Sequence, residues 1–138
     1  MPSSFVAEGL KHLIDVGIAG ITQAKVALLQ ETYTPSDQHT VSDITSHRVA
    51  GTTDQNVTIA SENDAANTRI EIDVTTGGGS VTFSAVPAGD NVRYAALYDD
   101  AATDKLIAIW DRGSNLPTNG EDITLTFSQS DGSLQLTY

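Results

Sequence analysis

The chain contains no cysteine among its 138 residues, which excludes disulfides, thiolate metal sites and cysteine nucleophiles. Basic residues are scarce as well: seven Lys and Arg stand against eighteen Asp and Glu, for a formal net charge of −11. The seven (Lys11, Lys25, Arg48, Arg69, Arg93, Lys105, Arg112) are scattered along the chain and form no stripe. Phosphate backbones and anionic lipid attract the opposite sign, so neither nucleic acid nor a membrane surface is expected as a partner. No apolar run approaches the ~20 residues needed to cross a bilayer. The start, "MPSSFVAEGLKHLID", has no basic region ahead of an apolar stretch. It is therefore expected to be the start of a mature chain made in a cytoplasm, not a secretory signal.

Catalytic motifs are missing too. There is no G-x-S-x-G elbow and no serine or threonine set beside an activating base. The "TTGGGS" stretch lacks the lysine and the following helix of a phosphate-binding loop and runs instead into "VTF", a strand pattern. Glu121 and Asp122 are paired acids of the kind a glycosidase uses, but they follow "PTNG", which is turn chemistry. The expectation is a protein that is not an enzyme and carries no cofactor.

What is present is β patterning. After one N-terminal stretch, the apolar residues recur at a period of two. "AKVALLQ" (24–30) is a compact apolar run. "NVTIA" (56–60), "TRIEIDVT" (68–75) and "SVTFSAV" (80–86) read as strands, with Ile70, Ile72, Val74, Val81 and Phe83 facing inward. The triple glycine between the last two can supply positive φ angles for a hairpin. "NVRYAALY" (91–98) and "KLIAIWD" (105–111) are apolar on both faces, as strands covered on both sides are. "DITLTFS" and "SLQLTY" alternate again, with "SDG" (130–132) as a turn signal between them. About eight short strands with a turn every ten residues or so predict a single, mainly β domain. The fold class expected is an antiparallel β-sandwich or barrel-like body over 24–138.

The exception is residues 1–20, where Val6, Leu10, Leu13 and Ile14 fall at helical spacing. A short N-terminal α-helix is expected, capped by Ser3 or Ser4, weakened by Gly9 and ended by Gly17 or Gly20. Residues 33–51 read as a long polar connection with one short helical turn.

Three constellations bear on binding. Asp99, Asp100 and Asp104, with Asp111 near them, are the best metal candidates. Their D-D-x-x-x-D spacing matches no calcium loop, and the expectation is solvated carboxylates at a hairpin tip with no metal held. His39 and His47 flank Asp43, with Asp37 close by, but their spacing is not that of a zinc motif. They are expected as exposed loop histidines, and His12 as an exposed residue on the polar side of the helix. Tyr33, Tyr94, Tyr98, Trp110 and Tyr138 offer rings for a sugar platform, yet alternation assigns most of them to core faces.

One resemblance spans most of the chain. "KVAL" (Lys25–Leu28) and "YTP" (Tyr33–Pro35), "SDI" (Ser42–Ile44), the hairpin carrying Tyr98, Asp100 and Leu106–Ala108, and the turn with Pro117, Asn119, Gly120 and Ile123 occur in this order. Together they resemble a family of small virion structural proteins of tailed bacteriophages. The chain departs from that family at Phe127, where tryptophan is common, and residues 52–90 carry none of its motifs. The resemblance implies a structural part of a phage particle, a homo-oligomer located in the virion and made in a bacterial cytoplasm. Capsid decoration (a cement protein on the major capsid protein) is the leading placement. A tail or head–tail connector subunit, or a tail adhesin binding a host glycan or receptor, are the alternatives. For decoration, residues 1–20 and 33–51 are expected to touch the partner, through Phe5, Val6, Leu10, Leu13, Tyr33, Pro35 and Ile44.

Overall fold

Two strands that are apolar on both faces have to be buried on both faces, and the rest of the fold arranges itself around them. In the computed structural model, which describes residues 3–64, 69–101, 105–128 and 134–137, β7 (Asn91–Asp99) and β8 (Lys105–Pro117) form an antiparallel hairpin. Ala95 lies opposite Trp110 and Leu97 opposite Ala108. β2 (Ala24–Gln30) pairs with the free side of β7, and β3 (Gln55–Asn56) pairs with β2. β1 (Ser3–Phe5) pairs with the outer side of β8, giving a five-stranded sheet in the order β1-β8-β7-β2-β3.

A three-stranded sheet is built from β4 (Ile59–Asp64), β5 (Arg69–Val74) and β10 (Leu134–Thr137), in the order β10-β5-β4. β6 (Ser80–Phe83) and β9 (Ile123–Thr126) form a two-stranded sheet. Every pairing among the described residues is antiparallel. The mainly β architecture with one short N-terminal helix is as expected, and no pairing among the described residues closes a barrel. The predicted strand over 56–60 is two strands, because Val57 and Thr58 turn the chain from the first sheet into the second.

The layers follow from the alternation. One face of the large sheet (Val26, Leu28, Ala95, Leu97, Ala108, Trp110) packs in one core with Ile72 and Val74 of the three-stranded sheet. Val81, Phe83 and Ile123 of the two-stranded sheet join them, with Phe127, whose ring centroid lies 4.8 Å from that of Trp110. Over the opposite face (Ala27, Leu29, Ala96, Tyr98, Leu106, Ile109) no sheet packs among the described residues. Residues 33–51 cover it instead, with Tyr33 and Ile44 pressed down and a short helix, α2 (Val41–Thr45), where one helical turn was expected.

The hairpin predicted at the triple glycine does not form. Gly77, Gly78 and Gly79 do take positive φ (58, 67 and 90°), but they end a 3₁₀ turn that passes the chain from β5 to β6 in a different sheet. β9 and β10 pair with β6 and β5 rather than with each other. The "SDG" turn between them lies outside the described residues.

The N-terminus differs from expectation in a way that explains its glycine. Ser3 and Ser4 belong to β1, and α1 (Ala7–Val16) starts instead after an extended Val6 with no side-chain cap. It ends where expected, at Gly17, whose positive φ of 72° lets its N–H return to the carbonyl of Leu13. The β7–β8 ladder shifts register between Leu97 and Tyr98, which pair with Ala108 and Leu106 and leave Ile107 as the extra residue. Its carbonyl accepts the N–H of Val6 at 3.1 Å. α1 then lies so close over this bulge that a Cβ on Gly9 would stand 2.4 Å from the Cα of Ile107 and 2.6 Å from two carbonyl oxygens.

Gly9→Ala therefore separates two effects of opposite sign. Helix propensity alone would stabilise by up to about 1 kcal/mol, whereas the overlap with strand backbone predicts a loss of about 1–3 kcal/mol. Urea unfolding of the variant is expected to show the loss.

Candidate functional site

The acidic hairpin end, the N-terminal helix and the 33–51 cover hold most of the polar groups singled out by sequence. α1 places Glu8 and His12 four residues apart, on one face of the helix. Because Gly9 brings that helix onto the hairpin, both side chains reach β7 and β8. His12 Nε2 lies 2.8 Å from Asp99 Oδ2, with the two side chains 13% and 4% exposed. The Nζ of Lys105 donates to Glu8 Oε1 at 2.7 Å. Asp99 is thus an interior carboxylate, not a solvated tip residue, and His12 is its partner, not an exposed polar residue. Asp100 forms an ion pair with Lys25 at the start of β2. Asp104 lies outside the described residues. Asp111 is drawn away from the others: Arg93 donates to both of its oxygens, Nε to Oδ1 at 2.6 Å and a terminal nitrogen to Oδ2 at 3.1 Å. That guanidinium, with the N–H of Gly113, holds the Asp111 carboxyl below its ordinary range.

The histidines of the cover do not gather on Asp43 either. Asp43 caps its own helix, its Oδ2 accepting the backbone N–H of Thr40 at 2.8 Å and the Thr40 hydroxyl at 3.0 Å. Those bonds push its pKa down. His39 and His47 are half-buried instead of exposed, and both pack their rings on Tyr33, at 5.4 and 5.5 Å between centroids. The Tyr33 hydroxyl lies 2.9 Å from His39 Nδ1, and the Thr32 hydroxyl 3.1 Å from His47 Nδ1. No group of three or more acidic or histidine side chains placed to hold a metal ion occurs among the described residues.

Two tyrosines are tuned by this packing. Burial, with the negative charge of Asp43 behind it, pushes the Tyr33 hydroxyl up to about 12. Tyr98 is pushed higher still, by burial first and then by donating to Asp54 Oδ2 at 2.6 Å. Arg48 shares that carboxylate at 3.0 Å and lies over the Tyr98 ring. Tyr33, Tyr98 and Trp110 are core residues, so these rings make no open sugar platform; Tyr138 lies outside the described residues.

Of the residues expected to meet a partner, Val6, Tyr33 and Ile44 are 2%, 1% and 0% exposed and belong to the core beneath the cover. Phe5 and Leu13 pack against the other core and Leu10 is half-buried. Pro35 is exposed, and so is Val16 at the end of α1, a large apolar residue the sequence reading did not single out. The pairs His12–Asp99 and Glu8–Lys105 join residues about ninety positions apart. Their one sequence signal is the i, i+4 placement of Glu8 and His12 on the helix. No family model, curated protein or solved structure matches this chain.

Removing His12 leaves a carboxylate buried without its partner, so His12→Ala is expected to cost about 1–3 kcal/mol. Adding Asp99→Asn to that variant should recover part of the loss, which a double-mutant cycle in urea would read. The tyrosines predict alkaline behaviour. A pKa raised on folding contributes stability that is complete below the unfolded value near 10 and fades as pH rises through the folded value. Of the four tyrosines in the chain, Tyr33 should ionise only near pH 12, and Tyr98 is likewise held above its ordinary range. Stability should fall as pH rises above the unfolded value, followed by near-ultraviolet absorbance and circular dichroism, and Tyr33→Phe should remove one late ionisation step.

Proposed function

We propose that this protein is a non-enzymatic structural subunit of a tailed-phage virion that decorates the outer surface of the head, seated on the major capsid protein. The observation that carries the reading is the ordered set of motifs resembling small phage virion proteins, together with where those motifs fall in the fold. Ala27 of "KVAL", Tyr33 of "YTP", Ile44 of "SDI", and Tyr98 and Leu106 of the hairpin meet in one buried cluster under the cover. The turn that completes the set ends β8 at Pro117 and opens β9 at Ile123. The likeness therefore follows a scaffold, in keeping with a structural role.

Charge supports the outer surface over the interior. A chain at −11 is repelled by the packed polyanion inside a filled head, while outside it adds solubility at little cost. The contact is then made by what residues 1–20 and 33–51 leave outside the core, with Val16 and Pro35 as its apolar points. The homo-oligomeric state belongs to the same proposal, set by the symmetry of the capsid sites it occupies.

Immunogold labelling of intact particles, with copy number from quantitative mass spectrometry, tests the placement. Dense label over the head with on the order of hundreds of copies, as icosahedral repetition requires, is expected. Label confined to the tail, with few copies, would overturn it in favour of a connector or adhesin. Val16→Asp should lower occupancy on the head while leaving the melting temperature within about a degree, since exposed substitutions rarely move stability by more than about 0.5 kcal/mol.

A further inference from the structure

Where β2 begins and β7 ends, the structure opens into a cleft of about 640 Å³. Its base is locked by backbone bonds: Val57 N–H donates to the Ala24 carbonyl and Asp100 N–H to the Gln23 carbonyl, both at 2.9 Å. The far wall is braced where the Thr76 hydroxyl accepts the N–H of Thr58 at 2.7 Å. Thr22, Gln23 and Asn56 line the cleft at exposed positions, with a hydroxyl and two carboxamides among their side chains. Among the described residues they have no side-chain partner.

The charges of the lining cancel. Lys25 and Asp100 are paired with each other across one wall, so a cleft in a chain of net charge −11 presents no spare charge of either sign. An anionic ligand finds no free cation there and a cationic one no free anion. Each carboxamide offers two donors and an acceptor, a set that matches adjacent hydroxyls, and Ala24 and Val57 supply an apolar floor. The volume falls in the range of about 300–1,000 Å³ common for small-molecule sites.

We propose that this cleft is a binding site for a neutral saccharide, held by the carboxamides of Gln23 and Asn56 against the Lys25–Asp100 pair. The site goes beyond the virion reading and does not depend on it: a decorated head and a tail could each present such a cleft.

The test uses the full chain, labelled with nitrogen-15, titrated with three neutral trisaccharides: maltotriose, chitotriose and mannotriose. Sialyllactose serves as the anionic comparison. At least one neutral sugar is expected to shift the backbone resonances of Gln23, Asn56, Thr58 and Thr76 together, at millimolar concentration. Asn56→Asp and Gln23→Glu keep the shape while removing amide donors, and each should weaken that binding roughly threefold to tenfold, as loss of a hydrogen bond does, with an unchanged melting temperature. No shift with any of the three sugars overturns the proposal. So does binding that both variants leave intact, or tighter binding of sialyllactose than of the neutral sugars.

Discussion

The burial of β7 and β8 on both faces is the interaction on which the remaining structure depends. Trp110, Leu97 and Ala95 on one side and Tyr98, Leu106 and Ile109 on the other cannot all be hidden by a single opposing sheet. At roughly 1.5–3 kcal/mol for each large apolar side chain taken out of water, leaving either face open would cost more than the few kcal/mol by which domains are stable. The chain solves this asymmetrically. Two small sheets cover one face, and an irregular segment with a single helical turn covers the other. The second solution is the less usual, because irregular backbone carries polar groups that must be satisfied. Here Gln30 accepts no such gap: its N–H reaches the His47 carbonyl and Val49 N–H reaches the Leu28 carbonyl, stitching the cover to β2.

The polar groups then serve as ties between layers. His12–Asp99 and Glu8–Lys105 hold the N-terminal helix to the hairpin, Arg48–Asp54–Tyr98 holds the cover's end, and Arg93–Asp111 crosses from β7 to β8. Exposed ion pairs contribute little, but His12–Asp99 is nearly enclosed, and there the larger penalty falls on losing one partner. This explains how an acidic chain keeps its carboxylates from disrupting a small core. Three of the enclosed acids, Asp99, Asp54 and Glu8, are paired with a histidine, an arginine and a lysine. Stretches that read as chemistry in one dimension therefore become fastenings in three, and the two functional proposals rest on other features: the scaffold likeness for a virion role, the unspent amides of Gln23 and Asn56 for ligand binding.

What the sequence by itself determined was the local order of elements. The β2 run, the double-faced β7 and β8, the helical stripe before Gly17 and the turn within 33–51 were all legible, because hydrophobic period and turn chemistry are properties of neighbouring residues. Only the tertiary structure decided which strand pairs with which. β5 and β6 are joined by glycines that permit a hairpin, yet they part into separate sheets, since a positive φ allows a turn without choosing its direction. The roles of Gly9, His12 and Asp99 were likewise decided there. A glycine in a helix reads as weakness until a strand backbone is seen 2.4 Å from its missing Cβ, and a histidine reads as exposed until a carboxylate 87 residues away is folded against it. Spacing along the chain carries period and turn, whereas close approach and charge pairing depend on distances that exist only after folding.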